Sequence, residues 1–443
     1  YQEYTSIPNE YKNLILNFFY DIEENYWTMM CGFLKKELKS KSLIMGTALG
    51  CTTHHLMDCF DIIDSHAYWN HPSFPNTAWN QHDYYVDNKD LTKEINSNTL
   101  LNLSKYRVYG KPFCVSEYDH PYPNQYSSQM YPMLASFASF QDWDLIFTFC
   151  DSIPSKNNGQ NEKIKSFFDQ GNNPAKSCAA PLAARIFRNF MVKPAETSIY
   201  EPLSKEKERA ILYKNNGWNI GNTQNFNVDP CAALIYKLGI TFDEPPTNSK
   251  LCTEITKELE QIKSDVNNPN KGIFSETNEI YWNTNTGTYI VCNENVTISI
   301  TNEKFILNQN IKNWINNISS ESLLPITDAT DFATLMAIKE NEKYILFTCS
   351  WSGNKDEGLK KYGEKSHSKT NKIIREEIPL TSKHDFGYGP ALALGINGTI
   401  LFKDNTKHTI YPIDLEGNPI LKKKQNGKKL KITNDTSLWY VID

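Results

Sequence analysis

The chain has 443 residues, of which 40% are hydrophobic, 22% are charged and 12% are aromatic, and its formal net charge at pH 7 is −5. This composition provides apolar material for two or three globular domains and offers no basic face for nucleic acid. No run of about 18 apolar residues occurs, so no membrane span is predicted. The ten cysteines include no Cys-x-x-Cys pair, which gives no support to a zinc ribbon or a thioredoxin-like site.

Helices and short buried strands alternate over the first part of the chain. Helical spacing of apolar residues predicts three helices, over Tyr11–Lys39, Tyr126–Gln141 and Asn173–Phe190. Short apolar runs predict four strands, over Ser42–Leu49, Phe60–Tyr68, Pro112–Ser116 and Leu145–Phe149. The strand starts are about 18, 52 and 33 residues apart, which fits (β/α) barrel units with one long inserted loop. A doubly wound sheet stays possible, although it would usually offer a glycine-rich phosphate loop, and the sequence has none.

The second part of the chain has a different pattern. After Val192 helical periodicity mostly disappears, apart from Ser249–Lys263. From Gly272 onwards, alternating runs such as TYIVCN and KYILFTC predict an all-β, sandwich-like domain. We therefore predict an α/β part over residues 1–191, a connecting segment with the start of an accessory domain over 192–271, and the β domain over 272–443.

Polar and aromatic residues follow the predicted strands at the end where a barrel carries its active site. Six of the nine histidines lie between positions 54 and 120. We predict that a substrate is bound by side chains from these strand ends and loops, namely His66, Tyr68, Trp69, His71, Tyr118, His120, Asn124 and Asp151.

Glu117 is the most informative of these positions. It follows the apolar run that contains Cys114 and Val115, and aromatic residues come directly after it. A carboxylate in an apolar, aromatic-lined pocket can serve as a nucleophile or as an acid/base. Aromatic rings can also stack on sugar faces, and the candidates are Tyr68, Trp69, Trp79, Tyr118 and Tyr122. The alternative interpretation is an exposed glutamate that happens to follow a strand.

Three segments resemble a group of bacterial glycoside hydrolases that belong to the large clan of retaining TIM-barrel enzymes, the cellulase-like clan A. They are SHAYWNHPSFPNTAW (65–79), GKPFCVSEYDHPYPNQY (110–126) and SFQDWDLIFTF (139–149). The resemblance implies that Glu117 is the nucleophile at the end of strand seven. It also implies that His66 and Tyr68, on strand six, flank the sugar or orient the nucleophile. The four predicted strands would then be strands five to eight, the C-terminal half of a (β/α)8 barrel.

The acid/base residue of this group is missing from the expected context. The group carries it as a glutamate in an Asn-Glu pair that ends strand four. Asn9-Glu10 begins a predicted helix instead, and five other pairs lie beyond the predicted eighth strand, at 161–162, 278–279, 293–294, 302–303 and 341–342. We therefore expect that this chain is a fragment, and that the N-terminal half of the barrel lies upstream of Tyr1 and carries the acid/base.

The predicted function is a retaining glycoside hydrolase acting on a poly- or oligosaccharide, without a metal or another cofactor. The resemblance implies a location outside the cytoplasm, either secreted, periplasmic or on the cell surface. Two alternatives stay open. One is a non-catalytic carbohydrate-binding or structural module. The other is a metal-dependent TIM-barrel hydrolase that uses the histidine cluster, although the chain has His54-His55 and no His-x-His.

Overall fold

The computed structural model describes residues 7–80, 83–151, 163–215, 228–301, 331–355, 379–381, 388–403, 406–414, 416–434 and 436–443, with positions 360–361 and a few between 311 and 329. Within this part of the chain the α-helices are α1 (Asn9–Gly32), α2 (Thr99–Ser104), α3 (Met130–Phe140), α4 (Pro174–Ser177), α5 (Ala180–Arg188), α6 (Lys205–Asn215) and α7 (Thr256–Val266). None of these helices is long and apolar enough to cross a membrane.

The strands of the first part are β1 (Ile63–Tyr68), β2 (Val86–Asp87), β3 (Phe113–Asp119), β4 (Leu145–Ile146), β5 (Ser198–Pro202), β6 (Lys237–Thr241) and β7 (Ser249–Leu251). Those that follow are β8 (Ile273–Phe274), β9 (Ile280–Asn283), β10 (Thr288–Cys292), β11 (Val296–Thr301), β12 (Ala333–Glu340), β13 (Lys343–Cys349), β14 (Trp351–Lys355), β15 (Lys360–Lys361), β16 (Pro379–Thr381), β17 (Tyr388–Leu394), β18 (Gly398–Leu401), β19 (His408–Pro412), β20 (Gln425–Gly427), β21 (Lys429–Ile432) and β22 (Trp439–Ile442).

A parallel sheet with the order β1–β3–β4 lies in the first part of the chain. On the outer side of β1, the segment predicted as a strand over 42–49 forms two isolated parallel bridges, Met45–Ile62 and Leu49–Ser65. Four adjacent parallel segments in chain order are compatible with the predicted half barrel and equally with part of an open sheet. The half barrel therefore stays a prediction.

The predicted helices of this part are present with shifted bounds. The first ends as an α-helix at Gly32 and continues as one π-helical turn over Phe33–Glu37. The predicted helix over 173–190 is divided into α4 and α5. Pro174 and Pro181 each lie near the start of one of these helices, because proline has no N–H to donate within a continuous helix.

The connecting segment is more regular than the sequence indicated. It forms a second parallel sheet with the order β6–β5–β7, and α6 lies between β5 and β6. The sequence predicted few helices here apart from Ser249–Lys263, and α6 shows that this prediction was wrong. Within the predicted helix, Ser249–Leu251 forms the strand β7. The sequence of α6, KEKERAILYKN, has few apolar residues, so its periodicity is weak.

A buried glutamate attaches α6 to the first part of the chain. Glu208 is fully buried, and its Oε1 accepts hydrogen bonds from the Tyr20 hydroxyl at 2.8 Å and the Thr53 hydroxyl at 2.7 Å. Its Oε2 accepts from the backbone N–H of His55 at 3.0 Å. A buried carboxylate with three donors is well satisfied, so its polar contacts position α6 together with Ile211 and Leu212, which are buried in the apolar core.

The C-terminal part contains a nine-stranded sheet with the order β20–β19–β22–β13–β12–β11–β10–β9–β8, antiparallel throughout. Two smaller pairs, β14–β17 and β18–β21, accompany it. The sandwich-like arrangement itself stays a prediction. The largest apolar cluster runs from Tyr20 to Cys349, and it therefore crosses the predicted boundaries at 191 and 271.

His54 is fully buried in the first part of the fold, and its ring lies 6.0 Å from the ring of Tyr106. Burial, together with the nearby His55 and Lys105, lowers the pKa of His54 to about 3. Since the unfolded chain protonates this imidazole near pH 6.5, the unfolded state binds more protons between these two values. Stability from this group is therefore fully present above about pH 6.5 and is lost as the pH falls.

We predict that lowering the pH from about 7 to about 5 decreases the free energy of unfolding of both proteins, and that the decrease is about 2 kcal/mol larger for the wild type than for a His54→Gln variant. The glutamine keeps polar atoms at this position but does not titrate in this range. Urea unfolding of both proteins at the two pH values gives the comparison. An equal loss in the two proteins would contradict the assignment.

Candidate active site

A β-bulge controls the end of β3, where Glu117 lies. Ser65 pairs with Val115, but the next pair is Ala67 with Tyr118, so β1 advances by two residues while β3 advances by three. The extra residue turns Tyr118 towards the apolar core, the side that Phe113 and Val115 also face. Ser116 and Glu117, within the bulge, are left half-buried.

A buried carboxylate supports this bulge. Oδ1 of Asp64, on the neighbouring β1, accepts a hydrogen bond from the backbone N–H of Ser116 at 3.1 Å. Asp64 is buried, and burial raises its pKa, whereas the hydrogen bond from Ser116 opposes that rise. The irregular backbone next to Glu117 is therefore fixed by a side chain of the adjacent strand.

Tyr68 orients Glu117. The Tyr68 hydroxyl donates a short hydrogen bond to Oε2 of Glu117. Burial and this contact with a carboxylate raise the pKa of Tyr68 above its ordinary value, so the phenol keeps its proton at neutral pH. Glu117 thus has a fixed donor on one oxygen while the side chain stays partly open to solvent.

Glu117 opens into a cavity of about 580 Å³, which we call the Glu117 cleft. It is lined by His66, Tyr68, His71, Trp79, Glu117, Phe149, Cys150, Ser166, Phe167 and Phe168. The described side chains that line it are mostly aromatic or imidazole rings, and they contribute one carboxylate. A cleft of this kind suits a ligand with apolar faces and hydroxyl groups, since rings can stack on the faces while His and Glu form hydrogen bonds.

The rings of the cleft are packed against one another. The Tyr68 ring lies 4.8 Å from Phe168 and 5.4 Å from His71, and the His71 ring lies 5.7 Å from Trp79. Trp79 is 61% exposed, and its backbone φ of 63° lies in a region that bulky residues rarely adopt. An exposed indole held in this conformation at a cleft is a candidate contact for a ligand.

Phe167 and Phe168 are cleft residues that the sequence analysis did not identify. They follow residues 152–162 in the chain, and their rings lie 4.7 Å apart. The paired Phe in KSFFDQ was the available signal, but it belongs to no predicted strand end. Phe149 was included only as part of a predicted strand.

Five of the predicted substrate-binding residues do not line the cleft. Trp69, Tyr118, His120 and Asn124 are buried, and Asp151 is exposed beside the cleft residue Cys150. The structure therefore does not bring these five residues together with the three that line the cleft, and their substrate-binding role stays a prediction. For Tyr118 the physical reason is the bulge, which turns its ring to the core.

The buried residues hold the loops that frame the cleft. The indole N–H of Trp69 donates to the carbonyl of Lys89 at 3.0 Å, and the side-chain amide of Asn124 donates to the same carbonyl at 3.0 Å. The Tyr118 hydroxyl lies 3.1 Å from Oγ1 of Thr99 and 3.2 Å from Nε2 of His120. These side chains therefore fix backbone positions around the cleft.

A buried ion pair lies directly behind the cleft. Nζ of Lys176 is 2.6 Å from Oδ1 of Asp119, and neither side chain is exposed. Burial raises the pKa of Asp119 to about 6, while Lys176 opposes the rise. The backbone of Asp119 pairs with Tyr68 and accepts from the N–H of Trp69 at 2.9 Å. The pair thus supports the ends of both strands that carry Tyr68 and Glu117.

Among the residues that the structure describes, His, Cys, Asp and Glu form no group of three or more that could hold a metal ion. His54 and His55 do not line the cleft: His54 is buried, and the His55 ring lies 4.2 Å from the ring of Phe242. Of the clustered histidines that the structure describes, His66 and His71 line the Glu117 cleft, whereas His54 and His120 are buried. The metal-dependent alternative stays a prediction.

We predict that Asp119→Asn lowers the free energy of unfolding by about 3–5 kcal/mol, because it leaves the Lys176 ammonium buried without its charge partner. Glu340→Gln is the matched control. It breaks the exposed pair of Glu340 with Arg185, which we expect to cost less than about 1 kcal/mol. Chemical unfolding of the three proteins gives both values. Similar losses for the two variants would contradict the structural role given to the buried pair.

Comparison with protein-family models, with curated proteins and with solved structures finds no match to this chain.

Proposed function

We propose that this chain supplies the nucleophile and one wall of the sugar site of a retaining glycoside hydrolase. The observation that carries the proposal is the pairing of Glu117 with Tyr68 inside an aromatic cleft at the end of a parallel sheet. A half-buried carboxylate with a fixed hydrogen-bond donor suits a nucleophile, and exposed rings suit the faces of a sugar. The resemblance around Glu117 points to the same role. A location outside the cytoplasm belongs to this proposal.

In the proposed reaction an oxygen of Glu117 attacks the anomeric carbon of the substrate. The bond between that carbon and the leaving-group oxygen breaks, and an acid residue protonates the departing oxygen. Water then attacks the glycosyl-enzyme ester, gives its proton to the same residue, and releases the sugar with Glu117 free. Tyr68 donates to one carboxylate oxygen and so leaves the other to attack. His66 and His71, at the edge of the cleft, are placed to bind sugar hydroxyls.

The acid/base has to come from outside the described cleft residues, because Glu117 is the one carboxylate among them. In a retaining enzyme the two carboxyl groups are about 5–5.5 Å apart. Two of the Asn-Glu pairs of this chain are already engaged elsewhere: Glu279 holds Lys193, and Glu342 pairs with Lys339. The two at 161–162 and 302–303 lie outside the described residues. We propose that the N-terminal half of the barrel supplies the acid/base.

The surface of α1 supports the need for such a partner. An apolar stripe runs along one face of this helix and its last turn, and its members are 46–64% exposed: Tyr11, Leu14, Phe18, Ile22, Tyr26, Met29 and Phe33. The opposite face packs into the core through Leu16, Tyr20 and Cys31. A helix that is apolar on both faces is usually covered on both, and an exposed patch of this size marks a protein contact.

The two outer segments of the parallel sheet give further support. Leu43 and Met45, in the segment next to β1, are 66% and 39% exposed, and Phe147, after the outer strand β4, is 55% exposed. These positions and the α1 stripe would be covered if further β/α units continued the sheet beside residues 42–49 and β4. The proposed N-terminal half would do this and would close the barrel around the Glu117 cleft.

A non-catalytic carbohydrate-binding module is the second candidate. The single carboxylate of the described cleft favours it, because one carboxylate can bind a sugar hydroxyl but cannot also protonate a leaving group. The two candidates differ in what Glu117 does. It is consumed and regenerated in each turnover of a hydrolase, whereas in a binding module it only accepts hydrogen bonds.

We predict that Glu117→Gln in the complete protein lowers turnover at least about a thousandfold, because the amide cannot act as the nucleophile. The glutamine keeps an oxygen that can accept from Tyr68, so thermal unfolding should be unchanged. Release of dinitrophenol from a panel of aryl glycosides measures the rate, and Glu340→Gln is the control. Undiminished activity of Glu117→Gln would refute the hydrolase. Sugar binding by the wild type without any turnover would favour the binding module.

We predict that Phe18→Glu combined with Met29→Lys weakens binding of the N-terminal half to this chain about tenfold or more, because both side chains lie in the α1 stripe. Leu421→Glu is the matched control, since Leu421 is 67% exposed on a distant turn of the β part. The affinity of the separately produced half is measured by calorimetry. Equal affinity for the double variant and the control would contradict the proposed contact.

A further inference from the structure

Two cysteines lie within reach of each other at the junction of α1 and the first sheet. Cys31 belongs to the last turn of α1, and Cys59 lies in the loop that leads into β1. Their Sγ atoms are 2.9 Å apart, whereas the two sulfur atoms of a disulfide bond are about 2.05 Å apart. Sγ of Cys31 is also 3.3 Å from the carbonyl oxygen of Cys59. Both thiols are free.

The surrounding contacts fix this approach from several sides. The ring of Trp27, one helical turn before Cys31, lies 5.5 Å from the ring of Phe60, the neighbour of Cys59. Lys35 pairs with Asp61 at 2.5 Å, and so ties the chain after α1 to the same loop. These contacts hold the two segments together on both sides of the sulfur atoms, and the Sγ–Sγ distance of 2.9 Å leaves little movement to make before a bond can form.

We propose that Cys31 and Cys59 are a modification site at which a small-molecule disulfide oxidises the two thiols to an intrachain disulfide. The cross-link would join α1, which carries the apolar stripe, to the loop before β1, which carries His66 and Tyr68. The proposal does not depend on the function proposed for Glu117.

The exchange starts at Cys59, because this thiol is exposed whereas Cys31 is buried. The Cys59 thiol loses its proton to solvent, and its thiolate attacks oxidised glutathione. A mixed disulfide forms, and one glutathione thiolate leaves and takes up a proton. The Cys31 thiol is then deprotonated and attacks the Cys59 sulfur, and the second glutathione thiolate leaves and is protonated. Two protein thiols are oxidised, and one small-molecule disulfide is reduced to two thiols.

Two consequences follow for rate and stability. Burial and the neighbouring Cys31 raise the pKa of Cys59 to about 12, although Lys111 opposes the rise, so the reactive thiolate is scarce and exchange is slow near neutral pH. Once formed, the bond would close a loop between positions 28 residues apart, which restricts the unfolded chain. Such a bond persists in oxidising compartments.

The test uses the full chain incubated with oxidised or with reduced glutathione at alkaline pH. We expect the oxidised sample to lose the mass of two hydrogen atoms and its melting temperature to rise by about 3–8 °C. Peptides from unreduced digests locate the bond. Since no Lys or Arg lies between Cys51 and Cys59, trypsin leaves both in one peptide, and cleavage before Asp58 separates them.

Two variants distinguish the proposed bond from other oxidation. Cys59→Ser should abolish both the mass loss and the rise in melting temperature. Cys51→Ser is the matched control, because Cys51 is also an exposed thiol in the same stretch, and it should keep both effects. The proposal is overturned if the bond involves other cysteines, if no mass is lost, or if the Cys31–Cys59 bond forms without raising the melting temperature. The reduced wild type provides the reference for any loss of folding in the variants.

Discussion

The candidate site depends on one extra residue in β3. The core requires Phe113, Val115 and Tyr118 on the same side, and regular alternation cannot place all three there. The bulge satisfies this demand and leaves Ser116 and Glu117 outside the core. Asp64 binds the displaced backbone N–H, and Tyr68 binds the Glu117 carboxylate. Packing of the core and presentation of the carboxylate are thus two results of the same irregularity.

Buried polar groups, as well as apolar contacts, hold the elements around this site together. The Asp119–Lys176 pair supports the ends of β1 and β3, and Glu208 joins α6 to α1 and to the loop around Thr53. Burying a polar group costs free energy unless its hydrogen bonds are satisfied. The ion pair and the hydrogen bonds of Glu208 therefore tolerate little change in their geometry. Of the two, the Asp119–Lys176 pair lies next to the cleft, whose rings range from the buried Phe167 and Phe168 to the exposed Trp79.

The sequence predicted much of the cleft but not its boundaries. His66, Tyr68, His71 and Glu117 come together because strand ends of a parallel sheet meet at one edge, and apolar runs identify such strands. Trp69, Tyr118, His120 and Asn124 were assigned to the same edge by counting along the chain. A bulge leaves no signal in the alternation of a seven-residue strand, so the burial of Tyr118 could not be anticipated. Phe167 and Phe168 come from a distant segment. In α6 only Ile211 and Leu212 are buried apolar residues beside the buried Glu208, too few for a clear helical pattern.

Covalent trapping is the sharpest test of Glu117 as the proposed nucleophile. Activated 2-deoxy-2-fluoro glycosides with a dinitrophenyl leaving group need no acid to depart, so the first half-reaction needs only the nucleophile and a formed sugar pocket. Digestion and mass spectrometry of the trapped protein then locate the sugar. We expect a glycosyl ester on the peptide that contains Glu117 and no such ester in Glu117→Gln. A label on another carboxylate, or turnover of the parent glycosides without any trapped ester, would contradict it.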